Sequence, residues 1–212
     1  MEENFQTLCD LMVSEQLKAR NIRSEAVLLA MRSVPRHLFV PENLQKYAYE
    51  DSPLPIGLGQ TISQPYIVAY MSEYLQPRKG MKILEIGTGS GYQSAILSCL
   101  GCEVYTVELL EDLANRAGKT FKTLNLSNVK IRCANGYSGW QEEAPFDAII
   151  ITAAPEKIPE KLVEQLAEGG KMILPVGPVN SVQFLKLVTK QGGKVIEREL
   201  LPVRFVPMVD SG

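Results

Sequence analysis

The stretch "KILEIGTGSGYQSAILSCLG" (residues 82–101) decides the fold of this chain. It begins with a short apolar run, continues through three glycines at alternate positions, and passes into apolar residues at helical spacing that end at a glycine. A strand, a tight turn and a helix give this pattern. Glycine suits the turn because it has no Cβ, so the backbone bends sharply and a ligand can lie against it. We therefore interpret the stretch as the first strand, loop and helix of an α/β core.

Strand and helix patterns alternate downstream of this stretch. The predicted strands are "EVYTVE" (103–108), "NVKIRCAN" (128–135), the almost wholly apolar "FDAIIITAA" (146–154) and "GGKMILPVG" (169–177). The predicted helices are "LLEDLANRAGKTFKTL" (109–124) and "PEKLVEQL" (159–166), and "VQFLKLVTK" with "KVIEREL" (182–200) reads as a hairpin. Alternating strands and helices imply right-handed βαβ units and a parallel sheet. We expect a Rossmann-like, seven-stranded, mostly parallel sheet with an antiparallel terminal pair.

The N-terminal third has a different pattern. Apolar residues at helical spacing predict a helix over 4–20, and Ser24 is expected to cap a second helix over 24–33. Four prolines predict an irregular segment over 34–60. A third helix over 65–75 is favoured by Pro65 at its first position. We expect these helices to form a cap on the core.

Length and composition set the broad class. A chain of 212 residues fits one α/β domain over 1–212, with a cap (1–78) and a cofactor-binding core (79–212). Hydrophobic residues make up 45% and charged residues 22%, and the net charge of −2 shows no basic excess of the kind that binds nucleic acid. No apolar run suggests a signal peptide or a membrane span. We expect a cytoplasmic monomer without nucleic-acid or membrane partners.

Four cysteines allow two interpretations. Cys99 and Cys102 form a C-x-x-C pair, which occurs in redox and zinc sites, while Cys9 and Cys133 stand alone. His37 is the only histidine, so a four-ligand zinc site lacks obvious donors. We expect no metal site and interpret Cys99 and Cys102 as small apolar residues at a helix end and a strand start.

The glycine loop is the first candidate site. Gly87, Thr88, Gly89 and Gly91 lie between a predicted strand and helix, the context in which a glycine run binds a cofactor. A dinucleotide fingerprint is G-x-G-x-x-G, but Tyr92 occupies the place of its third glycine. The pattern therefore disfavours a nicotinamide oxidoreductase. A tight turn without a ligand is the alternative.

Two carboxylates and an amide favour another ligand. Glu85 would repel a pyrophosphate but suits an ammonium group, and Glu108 could accept hydrogen bonds from both ribose hydroxyls. Asn135, followed by Gly136, could accept one from an adenine amino group. A ligand with a ribose, a cationic end and no phosphate is S-adenosylmethionine. Alternatively, Glu85 pairs with a surface lysine and Asn135–Gly136 is only a turn.

The segment "GQTISQP" (59–65) places two hydroxyls, Thr61 and Ser63, just before the third predicted helix. Ser63 could cap this helix, although Tyr66 stands where a capping box would have Glu or Gln. Alternatively, the hydroxyls bind a substrate. The local pattern leaves both interpretations open.

Six segments together resemble the bacterial type of one family, the protein-L-isoaspartate (D-aspartate) O-methyltransferases. They are "VPRHLFVP" (34–41), "YEDSPLPIGLGQTISQPYIVAYM" (49–71), "ILEIGTGSGYQSAIL" (83–97), "CANGYSGW" (133–140), "FDAIIITAA" (146–154) and "LPVRFVPM" (201–208). The resemblance covers nearly the whole chain in the family's order. The glycine motif alone would identify only the methyltransferase superfamily, whereas "GQTISQP" and "VPRHLFVP" are much more specific.

The resemblance implies a class I methyltransferase that repairs damaged proteins. Such enzymes methylate the free α-carboxylate of L-isoaspartyl and D-aspartyl residues with S-adenosylmethionine, and the ester cyclises to a succinimide that reopens to aspartate. In the family, the serine matching Ser63 is assigned the catalytic role and Thr61 lies near the site of methyl transfer. Isoaspartyl-containing peptides and proteins are the implied partners. A carboxylic acid with a pKa of roughly 3.5 is already ionised, so the chemistry needs positioning and no general base.

Other details stay open. The family usually has Asp–Gly where this chain has Asn135–Gly136, so the sequence predicts weaker cofactor binding and a gain on restoring aspartate. His37 and Trp140 are expected to serve packing, and "LPVRFVPM" (201–208) is expected to close over the site. A methyltransferase of small-molecule carboxylates and a non-catalytic sensor of the adenosyl cofactor are the competing functions.

Overall fold

The computed structural model describes residues 4–179 and 181–210. The N-terminal part comprises α1 (Phe5–Leu11), which continues as π-helix and 3-10 turns to Arg20, then α2 (Glu25–Ser33), β1 (Leu54–Gly57), β2 (Gln60–Ile62) and α3 (Pro65–Leu75). The Ser24 side chain accepts a hydrogen bond from the Val27 backbone N–H, which confirms the predicted cap of α2. The predicted third helix is also confirmed, with Pro65 at its start.

The hairpin of β1 and β2 was not predicted. It pairs the two strands antiparallel, with Leu54 opposite Ile62 and Pro55 opposite Thr61. The strands have only 4 and 3 residues, too short for alternation to give a clear signal. The hairpin therefore gives regular structure to part of the proline-rich segment and of "GQTISQP".

Seven strands form the main sheet: β3 (Lys82–Ile86), β4 (Glu103–Glu108), β5 (Val129–Cys133), β6 (Phe146–Ile151), β7 (Leu166–Val176), β8 (Gln183–Gln191) and β9 (Lys194–Val203). Their order is β5-β4-β3-β6-β7-β8-β9. The pairs from β5 to β7 are parallel, while β8 pairs antiparallel with β7 and with β9. The predicted mostly parallel sheet with an antiparallel terminal pair is confirmed.

Three further helices connect the parallel strands: α4 (Tyr92–Cys99), α5 (Glu111–Thr123) and α6 (Glu160–Gln165). β3 is buried from Ile83 to Ile86 because helices cover both faces of the sheet. On one face, Met71 and Leu75 of α3 and Leu97 of α4 pack in the same apolar cluster as alternate sheet residues.

The N-terminal elements share a core with the sheet domain. One apolar cluster contains residues of α1 and α2 together with Ala95 and Ile96 of α4 and Leu113 of α5. The cap is therefore fixed against the helices that follow the glycine loop. Among the described residues, no helix is both long and apolar enough to cross a membrane.

Candidate active site

Three adjoining cavities lie at the carboxyl ends of the parallel strands. A large cavity of about 460 Å³ is lined by Thr61, Ser63, Ile67, Thr152 and residues 202–206. A strand-end cavity of about 200 Å³ is lined by Gly87, Gly89, Glu108, Gly136, Met208 and others. A small cavity of about 40 Å³ is lined by Ser63, Glu85, Thr88, Gln93 and others. Thr61 and Thr152 line all three cavities, so these cavities meet there.

The location follows from the sheet order. β3 has β4 on one side and β6 on the other. The strands that directly follow β3 along the chain lie on one side of it, and those from β6 onward lie on the other, so the strand order reverses at β3. Ligands of open α/β sheets bind outside the carboxyl ends of the strands at such a point. Another cavity, of about 480 Å³ near Met81, Asp147 and Lys171, lies at the opposite, amino ends of the strands. We therefore place the candidate site at the carboxyl ends.

The glycine loop requires glycine for two different reasons. Gly87, Gly89 and Gly91 have φ angles of 90°, 52° and 88°, in the left-handed region that side chains rarely adopt. A Cβ on Gly87 would also lie 2.6 Å from the Thr152 hydroxyl oxygen. Gly87 and Gly89 line the strand-end cavity. Gly91 lies outside it, and its missing Cβ makes room for the Phe121 ring of α5.

Glu85 is fully buried beneath the loop. The Ser94 hydroxyl donates a hydrogen bond to its Oε2, while Oε1 has no hydrogen-bond partner within the described part of the chain. Burial raises the pKa of Glu85 to about 7, and the hydrogen bond from Ser94 opposes this shift. A buried carboxylate oxygen without a donor favours a cationic donor in the small cavity. The alternative pairing with a surface lysine is wrong, because no ion pair of Glu85 is formed among the described residues.

Glu108, the last residue of β4, lines the strand-end cavity. Its Oε2 accepts a hydrogen bond from the Gly89 backbone N–H at 2.7 Å, and its Oε1 accepts one from the Leu110 N–H at 3.0 Å. These bonds fix the carboxylate against the glycine loop. Each carboxylate oxygen keeps a second lone pair, so the group can still accept bonds from ligand hydroxyls.

Gly136 and Asn135 take different positions. Gly136 lines the strand-end cavity, and a Cβ there would lie 2.6 Å from Ile86 Cγ2. Asn135 lies beside it but is not among the lining residues. Its Oδ1 accepts from the Tyr137 N–H at 3.0 Å, and its Nδ2 donates to Asp210 Oδ1 at 2.5 Å. The amide therefore joins the loop after β5 to the C-terminal segment, a contact that the sequence did not reveal.

The two hydroxyls of "GQTISQP" lie where the cavities meet. Thr61 is on β2 and Ser63 follows it, before α3. The residue that caps α3 is Gln64, without a side-chain hydrogen bond, so the alternative that Ser63 caps this helix is wrong. Neither hydroxyl makes a hydrogen bond within residues 4–179 and 181–210. Both are therefore available to a ligand.

The C-terminal segment closes one wall of the site. After β9, the Ala154 N–H donates to the Val206 carbonyl and the Met208 N–H donates to the Ala154 carbonyl, both at 2.8 Å. The buried Gln183 accepts from the Phe205 N–H at 2.6 Å. These bonds fix residues 202–209 beside the large and strand-end cavities, as expected for "LPVRFVPM".

Thr152 is the site residue that the sequence analysis missed. It directly follows β6, and its hydroxyl donates to the Gly87 carbonyl at 2.6 Å. Its position could have been inferred, because β6 is a buried parallel strand and the carboxyl ends of such strands share one edge of the sheet.

Other singled-out residues serve packing. His37 stacks on Phe5 with ring centroids 4.0 Å apart, and burial lowers its pKa. Trp140 packs at a right angle against Tyr105 in the core. Cys99 and Cys102 are both free thiols; Cys102 is buried, as expected of a small apolar residue, whereas Cys99 is exposed, so the expectation that it fills apolar space is wrong.

The site fits the predicted cofactor on structural grounds. Glu85 offers a buried acceptor without a donor, Glu108 offers fixed acceptors, and the glycines leave space where Cβ atoms would intrude. Among the described residues, those lining the strand-end cavity include no Lys or Arg, the side chains that would bind a pyrophosphate. The fold and site define a Rossmann-like class I methyltransferase.

Comparison with known proteins narrows this class. The family model described as "Protein-L-isoaspartate(D-aspartate) O-methyltransferase (PCMT)" matches residues 9–212, so the chain belongs to this family. A protein-L-isoaspartate O-methyltransferase from Opitutus terrae is 57% identical over 92% of this chain and 84% of the relative.

Solved structures agree. A structure described as a protein-L-isoaspartate O-methyltransferase is 29% identical with a TM-score of 0.84, over 96% of this chain and 65% of that longer chain. A Plasmodium falciparum protein described as a member of the same family, in complex with S-adenosyl-L-homocysteine, is 31% identical with a TM-score of 0.83, over 98% and 99% of the two chains.

Proposed function

We propose that this protein transfers the methyl group of S-adenosylmethionine to the free α-carboxylate of L-isoaspartyl and D-aspartyl residues in damaged proteins. The observation that carries the proposal is the position of Thr61 and Ser63. Both line the large cavity, which is open to an acceptor, and the small cavity under the glycine loop. Methyl transfer needs such a junction, because the acceptor oxygen must meet the methyl group in line.

Residues around the strand-end and small cavities would hold the cofactor. Glu85 would accept from the ammonium group and Glu108 from the ribose hydroxyls, while Gly87, Thr88, Gly89 and Gly136 would form the surface against which it lies. When bound, the cofactor would supply a methyl group on a sulfonium sulfur, whose leaving group is a neutral thioether. Gly91 acts through packing and is not proposed to touch it.

The chain's own residues position the acceptor. Among the described residues that line the large cavity, Arg204 is the only charged one, so no carboxylate among them opposes the entry of an anion. Hydroxyl donors hold a carboxylate without removing its negative charge, so Ser63 and Thr61 can orient the nucleophilic oxygen. No side chain has to remove a proton, because the acceptor is ionised at neutral pH.

We further propose a cytoplasmic monomer that accepts flexible segments of many proteins. All four cysteines are free, as is usual in a reducing compartment. The large cavity is partly open to solvent, which leaves room for the flanking residues of a peptide segment.

Methyl transfer from labelled S-adenosylmethionine to two synthetic peptides tests the proposal. The peptides are identical except that one contains isoaspartate and the other aspartate. We expect label on the isoaspartyl peptide only, with release of labelled methanol on standing as the ester cyclises. Label on neither peptide, while S-adenosylhomocysteine still binds, would contradict the proposed acceptor and leave the cofactor site standing.

A further inference from the structure

Arg36 is a charged side chain enclosed in the protein interior. It lies in a 3-10 turn (Arg36–Phe39) and is 0% exposed. Its Nε donates to the Ala48 carbonyl at 2.7 Å, and its Nη2 donates to the Ser63 carbonyl at 2.7 Å. Its guanidinium carbon lies 4.8 Å from the centroid of the Tyr92 ring.

Burial of this charge is unfavourable in isolation. Nη1 has no hydrogen-bond acceptor within the described residues, and an arginine without a carboxylate partner is costly to desolvate. Burial lowers the pKa of Arg36 to about 10, so the guanidinium stays protonated at neutral pH. An apolar side chain would fill this space at a lower desolvation cost. What arginine adds at this position is the pair of short hydrogen bonds.

The two acceptors flank the hairpin of β1 and β2. Ala48 precedes it and Ser63 follows it, 12 and 27 residues from Arg36. A guanidinium is a rigid planar fork, so it fixes two carbonyls relative to each other, which a lysine ammonium does not do. The same group lies over Tyr92, the first residue after the glycine loop. Arg36 thus connects the backbone of Ser63 to the start of α4.

We propose that Arg36 is a positioning residue for methyl transfer: by holding the Ala48 and Ser63 carbonyls, it fixes the Ser63 hydroxyl relative to the glycine loop. This inference rests on the proposed function for its kinetic consequence. Its structural consequence, order in residues 59–66, does not depend on which acceptor is methylated.

Arg36→Lys and Arg36→Ala test the inference. Both variants should lower kcat on the isoaspartyl peptide by about 10–100-fold, the loss that a small misplacement of a positioned group causes. The affinity for S-adenosylhomocysteine, measured by titration calorimetry, should not change. Methylguanidinium added to Arg36→Ala should restore part of the lost turnover, since it can refill the cavity with the same fork of donors.

Leu17→Ala is the matched control for instability. Leu17 is fully buried in the cap and has no polar atom that could bind Ser63. Leu17→Ala should lower the melting temperature without a selective loss of kcat, and methylguanidinium should not change the turnover of this variant. If Arg36→Lys and Arg36→Ala lose turnover only in proportion to unfolding, as Leu17→Ala does, the inference is wrong.

Hydrogen exchange separates this inference from the proposed function. In Arg36→Lys without any ligand, residues 59–66 should exchange faster than in the unmodified protein, while residues 82–91 should not. Unchanged exchange in 59–66 would overturn the inference whatever reaction the protein catalyses. Faster exchange, together with no methylation of the isoaspartyl peptide by the unmodified protein, would support the role of Arg36 and contradict the proposed acceptor.

Discussion

Replacing Asn135 by aspartate reverses the expectation that the sequence raises. The sequence predicts tighter cofactor binding, because the family usually has aspartate there. In the structure, Asn135 Nδ2 donates to Asp210 Oδ1 at 2.5 Å, across 75 positions of the chain. The segment before Asp210 contributes Met208 and Val209 to the strand-end cavity. Asn135→Asp would turn an attractive contact into two opposed carboxylates beside the proposed cofactor site.

Two changes at this contact, a lost hydrogen bond and a new repulsion, set the size of the expected effect of Asn135→Asp. A hydrogen bond to a charged group contributes about 1.5–3 kcal/mol. Two like charges about 4 Å apart repel by about 1 kcal/mol in water-like surroundings, which is the relevant limit because this contact is exposed. Exposure and salt reduce both parts, and only the share that differs between the free and the bound protein changes the affinity, so we expect a loss of about 1 kcal/mol, or about a fivefold weaker affinity for S-adenosylhomocysteine.

Titration calorimetry with a double-mutant cycle measures this effect. Asn135→Asp should bind S-adenosylhomocysteine more weakly, and added salt should reduce the loss. The double variant Asn135→Asp with Asp210→Asn exchanges the two partners and should recover most of the affinity. Equal or tighter binding by Asn135→Asp alone would refute this reasoning, and would show that a carboxylate at position 135 serves the cofactor directly.

Four further predictions concern the site itself. Ser63→Ala should lower kcat on the isoaspartyl peptide while leaving the affinity for S-adenosylhomocysteine unchanged, with the distant cap variant Ser33→Ala as control; equal loss of both quantities would contradict a positioning role. Glu108→Gln should weaken S-adenosylhomocysteine binding by about tenfold or more, since hydrogen bonds to a charged group contribute about 1.5–3 kcal/mol, and an unchanged dissociation constant would remove Glu108 from the ribose site. Burial holds the Glu85 pKa at about 7. Because the ionised carboxylate is the form that binds an ammonium group, the affinity for S-adenosylhomocysteine should rise by up to about tenfold per pH unit as the pH approaches 7 and then level off. Glu85→Gln should show no such dependence. Without ligand, the raised Glu85 pKa means that the folded protein holds a proton that the unfolded chain has lost. The free energy of unfolding should therefore fall by about 3 kcal/mol as the pH rises from 4.5 to about 7. Chemical denaturation of the protein and of Glu85→Gln at several pH values checks this sign.

The sequence by itself determined the sheet and the region of the site. β3, the glycine loop and α4 are contiguous, so their local pattern of apolar residues and glycines specifies them without knowledge of any distant contact. The cap of α2 by Ser24 and the start of α3 at Pro65 are equally local. The carboxylates of Glu85 and Glu108 were predictable for the same reason, because each ends or lies within a recognisable buried strand.

The tertiary structure alone decided which groups meet. Ser63 and a helix cap are locally compatible, and only the position of Gln64 at the start of α3 excluded that interpretation. Gly91 belongs to a glycine pattern that is typical of a ligand loop. In the structure, however, the Phe121 ring of α5 occupies the space that a side chain at this position would need. Arg36 bonds carbonyls 12 and 27 residues away, and Asn135 bonds Asp210 across 75 residues. Periodicity and propensity describe neighbours along the chain, whereas these contacts exist only because folding brings distant backbone and side-chain groups within hydrogen-bond distance.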